Sequence, residues 1–235
     1  MSRMHRAARV LVTLWWLQLK IVAVSAFDGV LGVIYPLFFA TTAFLMFGQS
    51  GNPQALVYAG LGAAVMGTWS AMATSASGAL QSQRWQGTLE LLVCAPTRLA
   101  LAVLPVTAAL ATVALYSLVA TLLWGRFVFG IEVSIASSVA FVVALAVTLA
   151  SLATFGFLLS VTVVRYRTGW ALGNLLEYPG WLLCGFLVPL DLFPTWVQWL
   201  AQALPPTWGM AAIRTAAAGQ APWGEIAVCA GLGLG

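Results

Sequence analysis

Five apolar runs, each long enough to cross a lipid bilayer and each closed by a short polar segment, restrict this chain to very few folds. They are Ile21 to Phe47, Ala55 to Leu80, Leu99 to Trp124, Ser134 to Val164 and Thr168 to Leu190. Roughly 20 helical residues cross the ~30 Å hydrocarbon core, so every run has length to spare. The first span is placed at Phe27 to Phe47, with Asp28 at its start and Pro36 inside it. Only 7% of the residues are charged and the mean hydropathy is +0.97, whereas soluble domains carry roughly a quarter charged residues. The chain is therefore expected to be an all-α, polytopic membrane protein forming a single domain over residues 1–235.

The net charge of +4 does not point to nucleic acid, because the ten basic residues stand in ones and twos beside the apolar runs rather than on one polar face. They report orientation instead. With the amino terminus in the cytoplasm, the inner segments hold Arg3, Arg6, Arg9, Lys20, Arg84, Arg98, Arg165 and Arg167, and the outer ones only Arg126 and Arg214. Eight against two satisfies the positive-inside rule. The three cysteines, Cys94, Cys184 and Cys229, are far apart in apolar surroundings and form neither a disulfide framework nor a metal-ligand pattern. His5 is the sole histidine, so no His-based metal site is expected.

Residues 1–20 set Arg3, Arg6, Arg9 and Lys20 around Val10, Leu11, Leu14, Trp15, Leu17 and Leu19. This reads as an amphipathic helix at the cytoplasmic interface. A basic start before apolar residues also fits a signal peptide, but Gln18 and Lys20 interrupt the run and no small-residue cleavage site follows. Near the other end, Trp196, Trp199 and Leu200 recur at helical spacing between proline stops. With about ten residues between those stops, the piece is too short to span and is expected to form a re-entrant or interfacial hairpin over 191–219, together with a second short helix carrying Arg214. After Glu225 come ten apolar or glycine residues, rising about 15 Å. They are expected to open a sixth span that is truncated at Gly235.

Between the second and third runs lies the polar island Gln83 to Pro96, QRWQGTLELLVCAP. Gly87 can break the preceding helix and Thr88 can cap a new one, after which Leu89, Leu92 and Val93 recur at helical spacing. Arg84, Gly87, Thr88, Leu89, Glu90, Leu92 and Pro96 match the pattern R-x-x-GTLE-x-L-x-x-x-P, which resembles the segment of type 2 permeases of the ATP-binding-cassette (ABC) transporters. Farther on, Gly185, Pro189, Pro194, Trp196, Pro205, Arg214 and Gly219 resemble that family's second signature. The two motifs occur in the family's order about a hundred residues apart, and the resemblance covers essentially the whole chain.

The resemblance implies six spans after an amphipathic elbow helix, and a short cytoplasmic coupling helix at residues 83–96 that enters a groove on an ATPase subunit. Coupling would fall to Arg84, Gly87, Thr88, Leu89 and Glu90. It also implies two ATPase subunits that bind ATP and Mg²⁺, and a second permease chain, either a copy or a paralogue, in the cell membrane. Related permeases export antibiotics, polysaccharides or lipids; for this chain an amphipathic small molecule, drug, lipid or glycan is expected.

No catalytic constellation is present: the acids Asp28, Glu90, Glu132, Glu177, Asp191 and Glu225 are scattered and no GxxxxGK[ST] loop occurs. The chain is a transport subunit with no cofactor of its own in this reading, and ATP hydrolysis belongs to another polypeptide. Glu177, Asn174 and Arg214 are the candidate pathway or structural polar residues, since a carboxylate inside an apolar run is costly enough to be functional by default. Glu177 also has a bland reading, as a carboxylate paired or snorkelling near one surface. It further supports a proton-coupled secondary carrier, although few acids fall within the runs and no inverted repeat is visible. A membrane scaffold that transports nothing is the third reading.

Overall fold

The computed structural model describes residues 3–24, 26–48, 53–71, 85, 87, 94, 99–130, 137–163 and 169–234. Their regular structure is helical: α1 (Arg3–Val24), α2 (Ala26–Gly48), α3 (Pro53–Ala71), α4 (Leu99–Phe129), α5 (Ser138–Val163), α6 (Gly169–Leu183), α7 (Thr195–Gln202), α8 (Pro205–Ala217) and α9 (Trp223–Leu234). Leu104–Phe129 of α4 and Ser138–Thr162 of α5 are long and apolar enough to cross a membrane, and Pro36–Phe47 of α2 and Leu56–Ser70 of α3 are shorter apolar helices. The all-helical, membrane-type architecture agrees with the reading of the sequence.

The bundle is organised around α3. Every residue from Ala59 to Trp69 is buried, as expected of a helix that is apolar all round, and its small residues let neighbours approach closely. It packs against α2, α4, α6 and α8, while α5 packs against α4, α8 and α9. The core so formed holds Trp69, Phe186, Met66, Leu152, Met210 and Ile213. Trp69 stacks on Phe155 with ring centroids 5.4 Å apart, and Phe44 of α2 meets Phe129 of α4 at 5.0 Å. Two of the buried hydroxyls in these apolar helices bond back to their own backbone, Thr121 to the Ser117 carbonyl (2.9 Å) and Thr148 to that of Ala144 (2.7 Å), which offsets their desolvation penalty.

α1 continues past Lys20 to Val24 and packs along α4. The Trp15 indole N–H donates to Thr112 Oγ1 at 3.1 Å, about 20 Å along α4 from Leu99. The amino-terminal helix is thus fastened to the flank of a span. Trp16, Leu17 and Ile21 remain exposed, and the Lys20 ammonium lies 5.6 Å from the Trp16 ring centroid.

Two boundaries differ from the apolar runs. The third run continues as helix through Gly125 and Arg126 to Phe129, because nothing in that stretch breaks the backbone ladder. The fifth stops seven residues early: α6 ends at Leu183, and Gly185 takes up φ +69°, a conformation that L side chains resist. The following chain makes a 3₁₀ turn at Leu190–Leu192. Next come two short helices, α7 and α8, Pro194 preceding the first and Pro205 opening the second, where its missing N–H costs nothing. α7 buries Val197 and Ala201 and leaves Trp196 and Trp199 exposed.

Candidate functional site

The early end of α6 creates a problem that the fold solves with Arg214. The Gly185 and Phe186 carbonyls just beyond it have no helical ladder to join, and in apolar surroundings an unpaired carbonyl is costly. Arg214, on α8, donates from Nη1 to the Gly185 carbonyl and from Nη2 to that of Phe186, both at 2.8 Å. A cation at this place also matches the negative end of the helix dipole. The guanidinium carbon lies 3.3 Å from the ring centroid of Tyr58 on α3, whose hydroxyl donates weakly to the same Gly185 carbonyl at 3.4 Å. Gly62 makes room for this junction: a Cβ there would lie 1.7 Å from the Phe186 carbonyl oxygen and 3.1 Å from Arg214 Nη2. One side chain therefore joins α3, α8 and the end of α6.

A second polar cluster lies farther along the α3–α6 contact. Ser70 Oγ accepts the Trp181 indole N–H at 2.9 Å. Trp69 donates its own indole N–H to the Glu177 backbone carbonyl at 3.2 Å. Trp181 in turn sits edge-on to Phe39 at 4.8 Å and to Tyr178 at 5.0 Å. Glu177 is half-buried, as is Asn174 one turn earlier, so the two share a helix face. The structure thus ties the Glu177 backbone to Trp69 and places Arg214 elsewhere, bonded to the chain beyond the end of the same helix.

Of the coupling residues, Arg84, Thr88, Leu89 and Glu90 lie outside the described residues. Gly87 is described: it occupies a turn with φ +69°, is exposed, and a Cβ on it would touch nothing within 4 Å. Trp85 beside it is 76% exposed. Large exposed aromatics are over-represented at energetically important interface positions, and this tryptophan was not singled out by the motif.

Tyr58, Gly62, Ser70 and Trp181 also escape a sequence reading. Each is an ordinary residue of an apolar run, and the only hint in the string is that the run contains a lone Arg or Glu needing a partner. No curated protein matches the chain. A family model described as "ABC-2 type transporter" does, over residues 9–217, a stretch that takes in the GTLE island, the Glu177 cluster and the Arg214 clamp alike. With helices of membrane-spanning length inside that match and the motif glycine turned outward, the chain belongs to the ABC-2 type transporter family, as a membrane permease.

Proposed function

We propose that this chain is the membrane-spanning subunit of an ATP-driven exporter, crossing the cell membrane six times with its amino terminus in the cytoplasm. It works as one of two permease chains beside two ATPase subunits, which bind ATP and Mg²⁺. What supports the reading most is the family match across residues 9–217, combined with the GTLE sequence at the exposed, left-handed Gly87. Closure of the ATPases would push on Arg84, Gly87, Thr88, Leu89 and Glu90 and rock the spans between inward- and outward-facing states. The cargo is an amphipathic molecule such as a drug, a lipid or a glycan, and multidrug efflux is one such use.

The test is purification of the tagged chain from its native membrane. An ATPase is expected to come with it, and vanadate to stop export. Export that continues without an ATPase and collapses when the proton gradient is dissipated would establish a secondary carrier instead.

Orientation can be read from a native reporter. Cys94 is exposed, whereas Cys184 and Cys229 are buried. A membrane-impermeant maleimide should label Cys94 in inside-out vesicles and leave intact cells unlabelled; a cysteine introduced at Asn52 should do the reverse. Labelling of Cys94 from outside would invert the topology.

A further inference from the structure

Among the described residues, the hydrogen bonds that fasten α6 to its neighbours lie in its second half. The Glu177 backbone carbonyl accepts the Trp69 indole N–H at 3.2 Å, and Ser70 Oγ accepts that of Trp181 at 2.9 Å. Just past the helix, Arg214 holds the Gly185 and Phe186 carbonyls. Gly180 is pressed against the same tryptophan: a Cβ on it would lie 2.3 Å from Trp69 Nε1 and 2.4 Å from Cε2. Trp69 has no room to yield, being 2% exposed and stacked on Phe155 at 5.4 Å. The first half is different. Among the described side chains before Glu177 in α6, none is hydrogen-bonded to another helix, and Ala171, Leu175 and Leu176 are exposed. Pro179 stands inside the helix, where the two halves meet. Without an N–H it leaves the Leu175 carbonyl with no partner one turn ahead, and its ring crowds that carbonyl. Sharp bends in helices concentrate at such places.

We infer that α6 is hinged at Pro179 and Gly180, its second half pinned to α3 and α8 and its first half free to swing as an arm. Trp69 is the bearing: its ring fills the notch at Gly180, and its N–H holds a carbonyl two residues before the proline. From Gly169 to Pro179 the arm measures about 15 Å, so a bend of about 20° moves its tip by about 5 Å. In the orientation proposed above, that tip lies at the cytoplasmic face. The motion opens and closes the inner side of the bundle between α6 and α3 while the Arg214 junction stays shut. The inference deepens the exporter reading and rests on it for the meaning of the motion: it names the segment that moves and the point about which it turns.

The test uses the full chain in lipid nanodiscs, with Cys94→Ser, and with Cys184 and Cys229 left in place because they are buried. Spin labels are attached through Val119→Cys on α4 paired with either Ala171→Cys or Leu182→Cys, all at exposed positions. Double electron–electron resonance is expected to give the Ala171 pair a distance distribution about twice as wide as that of the Leu182 pair. Pro179→Ala restores the missing N–H and should narrow the Ala171 distribution to the width of the other, leaving the Leu182 pair unchanged. Equal widths without a substitution at 179 overturn the hinge, and that comparison needs no Pro179 variant to fold. A wide Ala171 distribution that survives Pro179→Ala is fraying of the helix start and overturns it too. Distances are measured without any ATPase, so failure of the exporter reading leaves this result standing, and failure of this result leaves ATPase association untouched.

Discussion

Arg214→Leu is expected to lower the melting temperature of the purified protein by about 6–12 °C, more than any substitution on the exposed faces of the helices. The guanidinium is the partner of the Gly185 and Phe186 carbonyls, and each buried acceptor left unpaired costs about 1–3 kcal/mol. A loss of about 3 kcal/mol in a chain of this size corresponds to that shift. Arg214→Lys should recover only part of it, because an ammonium cannot reproduce the two-pronged geometry or the stacking on Tyr58. Gly62→Val should be similarly harmful, since the added carbon collides with the Phe186 carbonyl. The two changes strike the same junction, so the double variant should lose less than the two single losses together. Thermal unfolding followed in detergent by fluorescence decides the matter: an Arg214→Leu protein that melts with wild type would show that water, and not the guanidinium, serves those carbonyls.

Glu90→Lys is expected to abolish substrate-stimulated ATP hydrolysis while leaving the protein inserted and folded. In the coupling reading, Gly87 sets the turn, Thr88 caps, Leu89 enters the partner groove and Glu90 adds a charge contact or completes the cap region. A cap lost from an exposed helix costs only about 1 kcal/mol, too little for a folding defect to imitate the result. Gly87 provides an internal control. Because its Cβ would meet nothing and its φ is +69°, substitutions there act through the backbone alone. Gly87→Asn should therefore couple nearly normally and Gly87→Val should not, since asparagine tolerates the left-handed region and a β-branched residue resists it. ATPase co-purification and ATP turnover in reconstituted membranes measure both. Normal export by Glu90→Lys would remove residues 83–96 from the coupling role.

Hydropathy made the helices legible, since a continuous apolar run longer than the bilayer core has few other uses. The proline stops at Pro194 and Pro205 likewise marked the ends of α7 and the start of α8. The premature end of α6 did not show, because Phe186, Leu187 and Val188 are as apolar as the residues inside the helix. What ends it is a backbone turn and a hydrogen-bond partner twenty-nine residues away from Gly185, and side-chain hydropathy carries no record of either. The interior position of Glu177 could be read from its surroundings in the string. Its partner could not: Trp69 lies on α3, 108 positions earlier in the chain, and only the packing of α3 on α6 brings them together.

The Arg214 clamp also sets a constraint on how the chain can be made. The ribosome delivers Gly185 twenty-nine residues before Arg214, a delay of about 1.5–6 s at ordinary elongation rates. Throughout that interval α6 and α3 are already synthesised, yet the Gly185 and Phe186 carbonyls have no guanidinium to receive, so the junction of α3, α6 and α8 can close only after α8 has been made.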